Sequence, residues 1–215
     1  MLTKRLEKLV SVLPKCDVLA DVGCDHGYVG IEALDRGVAQ KVIFVDVSAK
    51  SLDKARQNCP DGHLPRAQFV CCDGLGDINA DVAIIAGMGG LEIISILNSA
   101  KHLPNKLVLQ PMRNQRDVRS YLTQNYEILT DEKFHDYKFY DVIVAARSDK
   151  PTVLTEPELE FGKTNLECPS QDFVDYLKAE INKLKNIPIF ADNAELQTQV
   201  EKLEQMLIGF NTKKE

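Results

Sequence analysis

Between residues 17 and 123 the chain alternates short apolar runs with helical segments, and few folds accommodate that alternation. Residues 17–22, 41–45, 67–71, 81–86 and 106–110 read as strands, and residues 29–36, 49–58, 91–101 and 115–123 as helices. The strands are apolar along nearly their whole length, so both faces must be covered. That requires a parallel sheet between two helical layers, with right-handed crossovers. Ahead of it, Leu2, Leu6, Leu9, Val10 and Leu13 recur at helical spacing and predict an amphipathic helix ending near Pro14. After it the pattern changes. Residues 126–134 and 138–145 are separated only by His135, Asp136 and Tyr137, so they must pair as antiparallel neighbours.

Residues 149–169 are polar, carry Pro151, Pro157 and Pro169, and read as a linker with at most a short helix around Glu158. Beyond it, Phe173, Leu177, Ile181 and Leu184 form one apolar stripe. Leu196, Val200, Leu203 and Leu207 form another at coiled-coil spacing. Pro188 and Asp192-Asn193 separate them, and Asp192 with Glu195 can form a capping box. The expected organisation is an α/β domain over 1–150 and a linker with a helical hairpin over 151–215. The hairpin could pack on the main domain, dimerise weakly or bind substrate.

At 215 residues, 44% hydrophobic and 27% charged, the chain has the composition of an ordinary globular protein with one sizeable core. No apolar run reaches bilayer-spanning length, and the N-terminus lacks the apolar stretch of a secretory signal, so a cytoplasmic protein is expected. The six cysteines show no zinc-like spacing; reduced thiols and no metal site are expected. A net charge of −6 does not favour a polyanionic partner, although a basic face can be local. Two clusters could form one: Lys4, Arg5 and Lys8, and Arg113, Arg116 and Arg119. Each could equally be a solvated helix face.

The chemistry should lie at Asp21-Val22-Gly23-Cys24-Asp25-His26-Gly27, between the first strand and the first crossover helix. Open α/β sheets bind ligands at this edge, where a helix N-terminus and close backbone approach are available. Gly23 and Gly27 permit the tight turn. Asp46, with Val47 after it, ends the second strand about 20 residues further on, placed for two ribose hydroxyls. Asp21 and Asp25 would repel a pyrophosphate, whereas a sulfonium carrying an amino group tolerates them. This favours S-adenosylmethionine over a dinucleotide. Asp73-Gly74, after the third strand, offers a carboxylate for an adenine amino group, or is an ordinary turn. Ala86-Gly87-Met88-Gly89-Gly90 occupies the slot where many amino-methylating enzymes carry an Asn/Asp-Pro-Pro motif, which is absent here. It offers backbone groups and a thioether instead, or simply starts a helix.

Together with Tyr28, Leu75 and Leu109-Gln110-Pro111, these segments resemble, in this order and spacing, the bacterial TrmK-type tRNA (adenine 22-N1) methyltransferases. The resemblance extends over nearly the whole chain, including the terminal hairpin. It implies a Rossmann-like domain plus a coiled-coil-like domain, S-adenosylmethionine as methyl donor, tRNA as partner and 1-methyladenosine as product. It implies cofactor contacts at Asp21, Gly23, Asp25, His26, Gly27, Asp46, Val47, Asp73, Gly74, Leu75, Ala86, Gly87, Met88 and Gly89. Adenine N1 has an in-plane lone pair, so in-line positioning can supply most of the acceleration without a strong base. Asp25 is a candidate to stabilise the cationic product ring, and Tyr28 either stacks on the extruded base or lies on the helix face. The residues also leave open a methyltransferase for another RNA, a protein or a small molecule, a dinucleotide oxidoreductase, or a non-catalytic RNA-binding scaffold.

Overall fold

A computed structural model describes residues 2–212; Met1 and the last three positions of the expected 1–150 and 151–215 units, 213–215, lie outside the described residues. The described residues form a seven-stranded sheet in the order β3-β2-β1-β4-β5-β7-β6. Strands β1 (Cys16–Val22), β2 (Ala39–Asp46), β3 (Ala67–Cys71), β4 (Val82–Met88) and β5 (Lys106–Pro111) are parallel. Antiparallel β7 (Lys138–Arg147) and β6 (Tyr126–Asp136) close the edge. The strand order reverses beside β1, and the loops after β1 and β4 diverge there to leave a crevice.

Alternation along the strands explains why both faces are dry. Leu19, Val42, Phe44, Ile84, Val108, Val142 and Val144 face one core, while Ala20, Val22, Val45, Ile85, Leu107, Leu109, Ile143 and Ala145 face the other. The first core is covered by α1 (Lys4–Ser11), which Thr3 caps by accepting from the Leu6 N–H, and by α2 (Tyr28–Asp35) and α3 (Ala49–Asn58). The second is covered by α4 (Gly90–Ser99) and α5 (Gln115–Leu122).

Residues 149–169, expected as a linker with at most a short helix around Glu158, carry that helix as α6 (Glu156–Phe161), with a Thr155–Glu158 capping box, and add a second, α7 (Lys163–Glu167). Arg119 anchors this segment. Its guanidinium is fully buried, bonds both carboxylate oxygens of Asp131 (2.6 and 3.0 Å) and one of Asp141 (2.8 Å), and donates to the Leu159 and Glu160 carbonyls. A buried charge must be paired and fully hydrogen-bonded, so this network fixes α6 against the sheet. Arg119 is thus removed from the basic face considered above, and Arg116 pairs with Glu156.

Helices α8 (Gln171–Lys185) and α9 (Ala194–Thr212) form the expected hairpin around Phe173, Leu177, Ile181, Leu184, Val200 and Leu203; Leu196 and Leu207 pack at its margin. The cap of α9 is Asn193 rather than Asp192. Its side chain accepts from the Glu195 and Leu196 N–H groups, while Asp192 ends a 3-10 turn. The six cysteines are unpaired.

Candidate functional site

Two cavities meet at the carboxyl edge of the sheet, sharing Val22, Gly23 and Ala86. The first, about 250 Å³, is lined by Asp21 from β1, Asp25 and His26 from the β1–α2 loop, Tyr28 from the start of α2 and Arg5 from α1. The second, about 220 Å³, is lined by Asp46, Val47, Asp73, Gly74, Gly87, Met88 and Glu92. Gly23 lies at the junction with φ +70°, and a Cβ there would fall 2.0 Å from the Met88 methyl. A side chain at 23 would therefore close the passage between the lobes unless Met88 moved.

The loop holds itself in place. The Gly23 and Cys24 N–H groups donate to the Val45 carbonyl. Asp46 accepts from the Asp25 N–H (3.1 Å) and the Ser48 N–H (2.9 Å), so the second strand positions the first loop. Asp25 adopts φ +45°, an uncommon conformation for a non-glycine residue, of the kind that gathers at functional sites. Its carboxylate is largely exposed and lies 3.6 Å from His26 Nε2 and 3.7 Å from Lys54 Nζ. Gly27, at φ +71°, starts α2 against Ala55 and Phe44. The His26 and Tyr28 rings stack at 5.3 Å and 5° and present a flat, half-exposed surface.

Asp21 sits deepest, 6% exposed, with Oδ2 accepting from the Gly30 N–H at 3.0 Å. Burial pushes its carboxyl up to about 7; the Gly30 bond opposes that shift and the Asp46 charge adds to it. Burial likewise raises the neighbouring Cys24 thiol, with the Asp21 charge adding, so this cysteine stays protonated.

Of the expected cofactor contacts, Asp21, Gly23, Asp25, His26, Asp46, Val47, Asp73, Gly74, Ala86, Gly87 and Met88 line the two lobes, as does Tyr28, the candidate for stacking on the base. Three do not. Gly27 is buried beneath the loop, Leu75 is a fully buried core side chain, and Gly89 caps α4 against Arg113. Sequence reasoning missed Glu92 and the pair Arg5–Gln110. Arg5 Nη1 donates to Gln110 Oε1 at 2.8 Å, and Gln110 is completely buried at the end of β5. A glutamine inside an apolar strand was the signal that something must satisfy it.

Asp21, Asp25, Asp46, Asp73 and Glu92 make both lobes acidic, which suits a cationic nucleoside and rejects a pyrophosphate. A doubly wound sheet closed by an antiparallel pair, with this groove at its switch point, is the framework of a nucleoside-sulfonium-dependent transferase. Comparison with known proteins agrees. Residues 2–143 match the methyltransferase domain family model. The tRNA (adenine(22)-N(1))-methyltransferase of Bacillus subtilis (strain 168) is 32% identical over 170 residues, 75% of this chain and 71% of that protein. Sp1610 of Streptococcus pneumoniae, in complex with S-adenosyl-L-methionine, superposes with a TM-score of 0.84 at 27% identity, covering 96% of this chain and 100% of that one. A protein of the NADB-Rossmann superfamily from Streptococcus agalactiae gives 0.83 at 30% identity over 96% and 97%. The chain belongs to the methyltransferase-domain family and, within it, to the tRNA (adenine(22)-N(1))-methyltransferases.

Proposed function

We propose that this protein transfers a methyl group from S-adenosylmethionine to N1 of adenine 22 in tRNA. The observation that carries the proposal is the paired acidic lobes joined at Gly23, in a chain of this family. In this reading Asp46 accepts from the ribose hydroxyls, Asp73 from the adenine amino group, and Asp21 from the ammonium group. Bound there, S-adenosylmethionine supplies a methyl already activated on a sulfonium.

The remaining task of the chain is to present the acceptor. Adenine N1 is a base-pairing atom, so the nucleotide must leave its stack, and the His26–Tyr28 surface beside the first lobe can receive a flat ring. N1 attacks through its lone pair, so no proton is removed in that step. The Asp25 carboxylate, exposed at the rim, can balance the positive charge that the ring acquires. Catalysis is assigned to a unit spanning 1–150, with 151–215 as a second unit built on the hairpin core. Among the described residues no helix is long and apolar enough to cross a membrane, and a cytoplasmic location follows from the tRNA substrate.

The test is to incubate the protein with labelled S-adenosylmethionine and unmodified tRNA and map the product. Label at N1 of adenine 22 is expected; label elsewhere, or none, refutes the proposal. Asp25→Ala should lose about 10²-fold or more in methyl transfer even at saturating S-adenosylmethionine. Full activity in that variant removes Asp25 from the mechanism.

A further inference from the structure

We infer that the tip of the β6–β7 hairpin, together with the first turn of α1, is the surface that docks the tRNA, with Tyr137 stacking on an unpaired base. This rests on the RNA substrate proposed above.

The two strands pair out to Asp136 and Lys138, so the turn hinges on Tyr137 alone. Tyr137 adopts φ +61° and is 96% exposed. A bulky aromatic in the left-handed region is unfavourable, and glycine or asparagine would make the same turn without strain. A ring open to solvent returns nothing to folding by burial. Its use is therefore sought outside the chain.

The surroundings favour a polyanion. Lys4 Nζ donates to the His135 carbonyl at 2.6 Å, Lys138 Nζ lies 5.4 Å from the Tyr140 ring centroid, and the Arg5 guanidinium lies 5.9 Å from the same centroid. Among the described residues none of these three side chains forms an ion pair, unlike Lys8 with Glu132 or Arg116 with Glu156. Glu132 is neutralised by Lys8, while Asp136 and Asp172 accept from the Arg5 and His135 backbone N–H groups and keep their charge. Against these two carboxylates the three cations Lys4, Arg5 and Lys138 still leave the tip with a positive excess, on a chain whose net charge is −6.

It also leads to the site. Arg5 lines the first lobe and lies over the Tyr140 ring, which Lys138 also approaches, so Tyr140 links the cations of the tip to the wall of the cavity. Cations that neutralise phosphates, interleaved with aromatics that stack on splayed bases, make up the chemistry of single-stranded RNA recognition.

The test uses the full chain, unmodified tRNA and three variants. Tyr137→Gly relaxes the backbone, so its melting temperature should equal or exceed that of the parent. Its KM for tRNA should rise about tenfold at unchanged affinity for S-adenosylmethionine, and Tyr137→Phe should behave as the parent. Lys4→Ala/Lys138→Ala should reduce the slope of log affinity against log salt by about two. Parental KM and salt slope in Tyr137→Gly and the double variant overturn the inference, as does a change in oligomeric state at unaltered KM. If the parent itself transfers no methyl to tRNA, the substrate reading fails and this inference with it; parental turnover with unaffected variants sinks this inference alone.

Discussion

Asp21→Asn should make the protein more stable and a worse methyltransferase at the same time. The Asp21 carboxyl is buried and titrates at about 7, against 3.8 for a free carboxyl. A group whose folded value is raised binds its proton more tightly in the native state, so its ionisation destabilises the fold increasingly as pH climbs from about 4 to about 7. Roughly three units at 1.36 kcal/mol each give a penalty of about 4 kcal/mol above pH 7. Asparagine removes that penalty and keeps an acceptor for the Gly30 N–H, but it buries an amide NH₂ that needs a partner, costing about 1–3 kcal/mol. The net gain is about 2 kcal/mol, or about 4–8 °C in melting temperature for a chain of this size, at pH 8. At pH 5 the parent is protonated and the gain should disappear. Cofactor binding should move the other way. The ionised fraction of Asp21 falls from about 0.9 at pH 8 to about 0.1 at pH 6, so the affinity of a cationic ligand that relies on it should drop about tenfold over that interval. In Asp21→Asn the affinity should be weak and flat with pH. Differential scanning fluorimetry and titration calorimetry measure the two effects, with His26→Gln as the control for the imidazole lining the same cavity. A lower melting temperature for Asp21→Asn at pH 8, or a parent whose affinity does not change between pH 6 and 8, refutes the reasoning.

Other perturbations probe the framework. Arg119→Met leaves Asp131 without its buried cation, while Asp141 keeps Lys133 at 2.6 Å, and should cost about 3–5 kcal/mol, seen as a fall of about 6–20 °C on thermal melting. Burial raises the Asp131 carboxyl and the Arg119 charge opposes that shift; without Arg119 the value climbs further, so the deficit should be larger at pH 8 than at pH 5. Gly27→Ala combines a left-handed backbone with a Cβ 2.9 Å from that of Ala55 and should lose about 2–4 kcal/mol by chemical denaturation. Gly76→Ala has positive φ but open space around the new methyl, and should lose only about 1 kcal/mol.

The difference between what the sequence disclosed and what it hid follows the range of the interactions involved. Strand and helix identity between 17 and 123 is written in local periodicity, and most of those elements lie within a few residues of where the pattern predicts them; β6 runs two residues further because the hairpin pairs up to Tyr137, and β7 two further at its far end, where Ala146 and Arg147 pair with Glu127 and Tyr126. The acidic loop, Asp46 and Asp73 were legible because the sheet edge on which they fall follows from strand order alone. The role of Arg119 was not. One turn of helix carries Arg116, exposed and paired with Glu156, and Arg119, completely buried, and nothing within that turn distinguishes them. The distinguishing residues, Asp131 and Asp141, stand 12 and 22 positions away, the first on a strand of mixed polarity and the second on one that is largely apolar around it. Carboxylates on inward positions of an otherwise dry sheet imply a buried cation, since each would carry an unpaired charge otherwise. The same reasoning applies to Gln110, whose polar side chain in an apolar strand called for Arg5 from a helix 105 residues earlier in the chain. In both cases a polar residue that the local pattern treated as an exception was half of a long-range pair. One pair secures the second helical unit to the sheet, and the other brings a cation from the first helix to the wall of the methyl-transfer cavity.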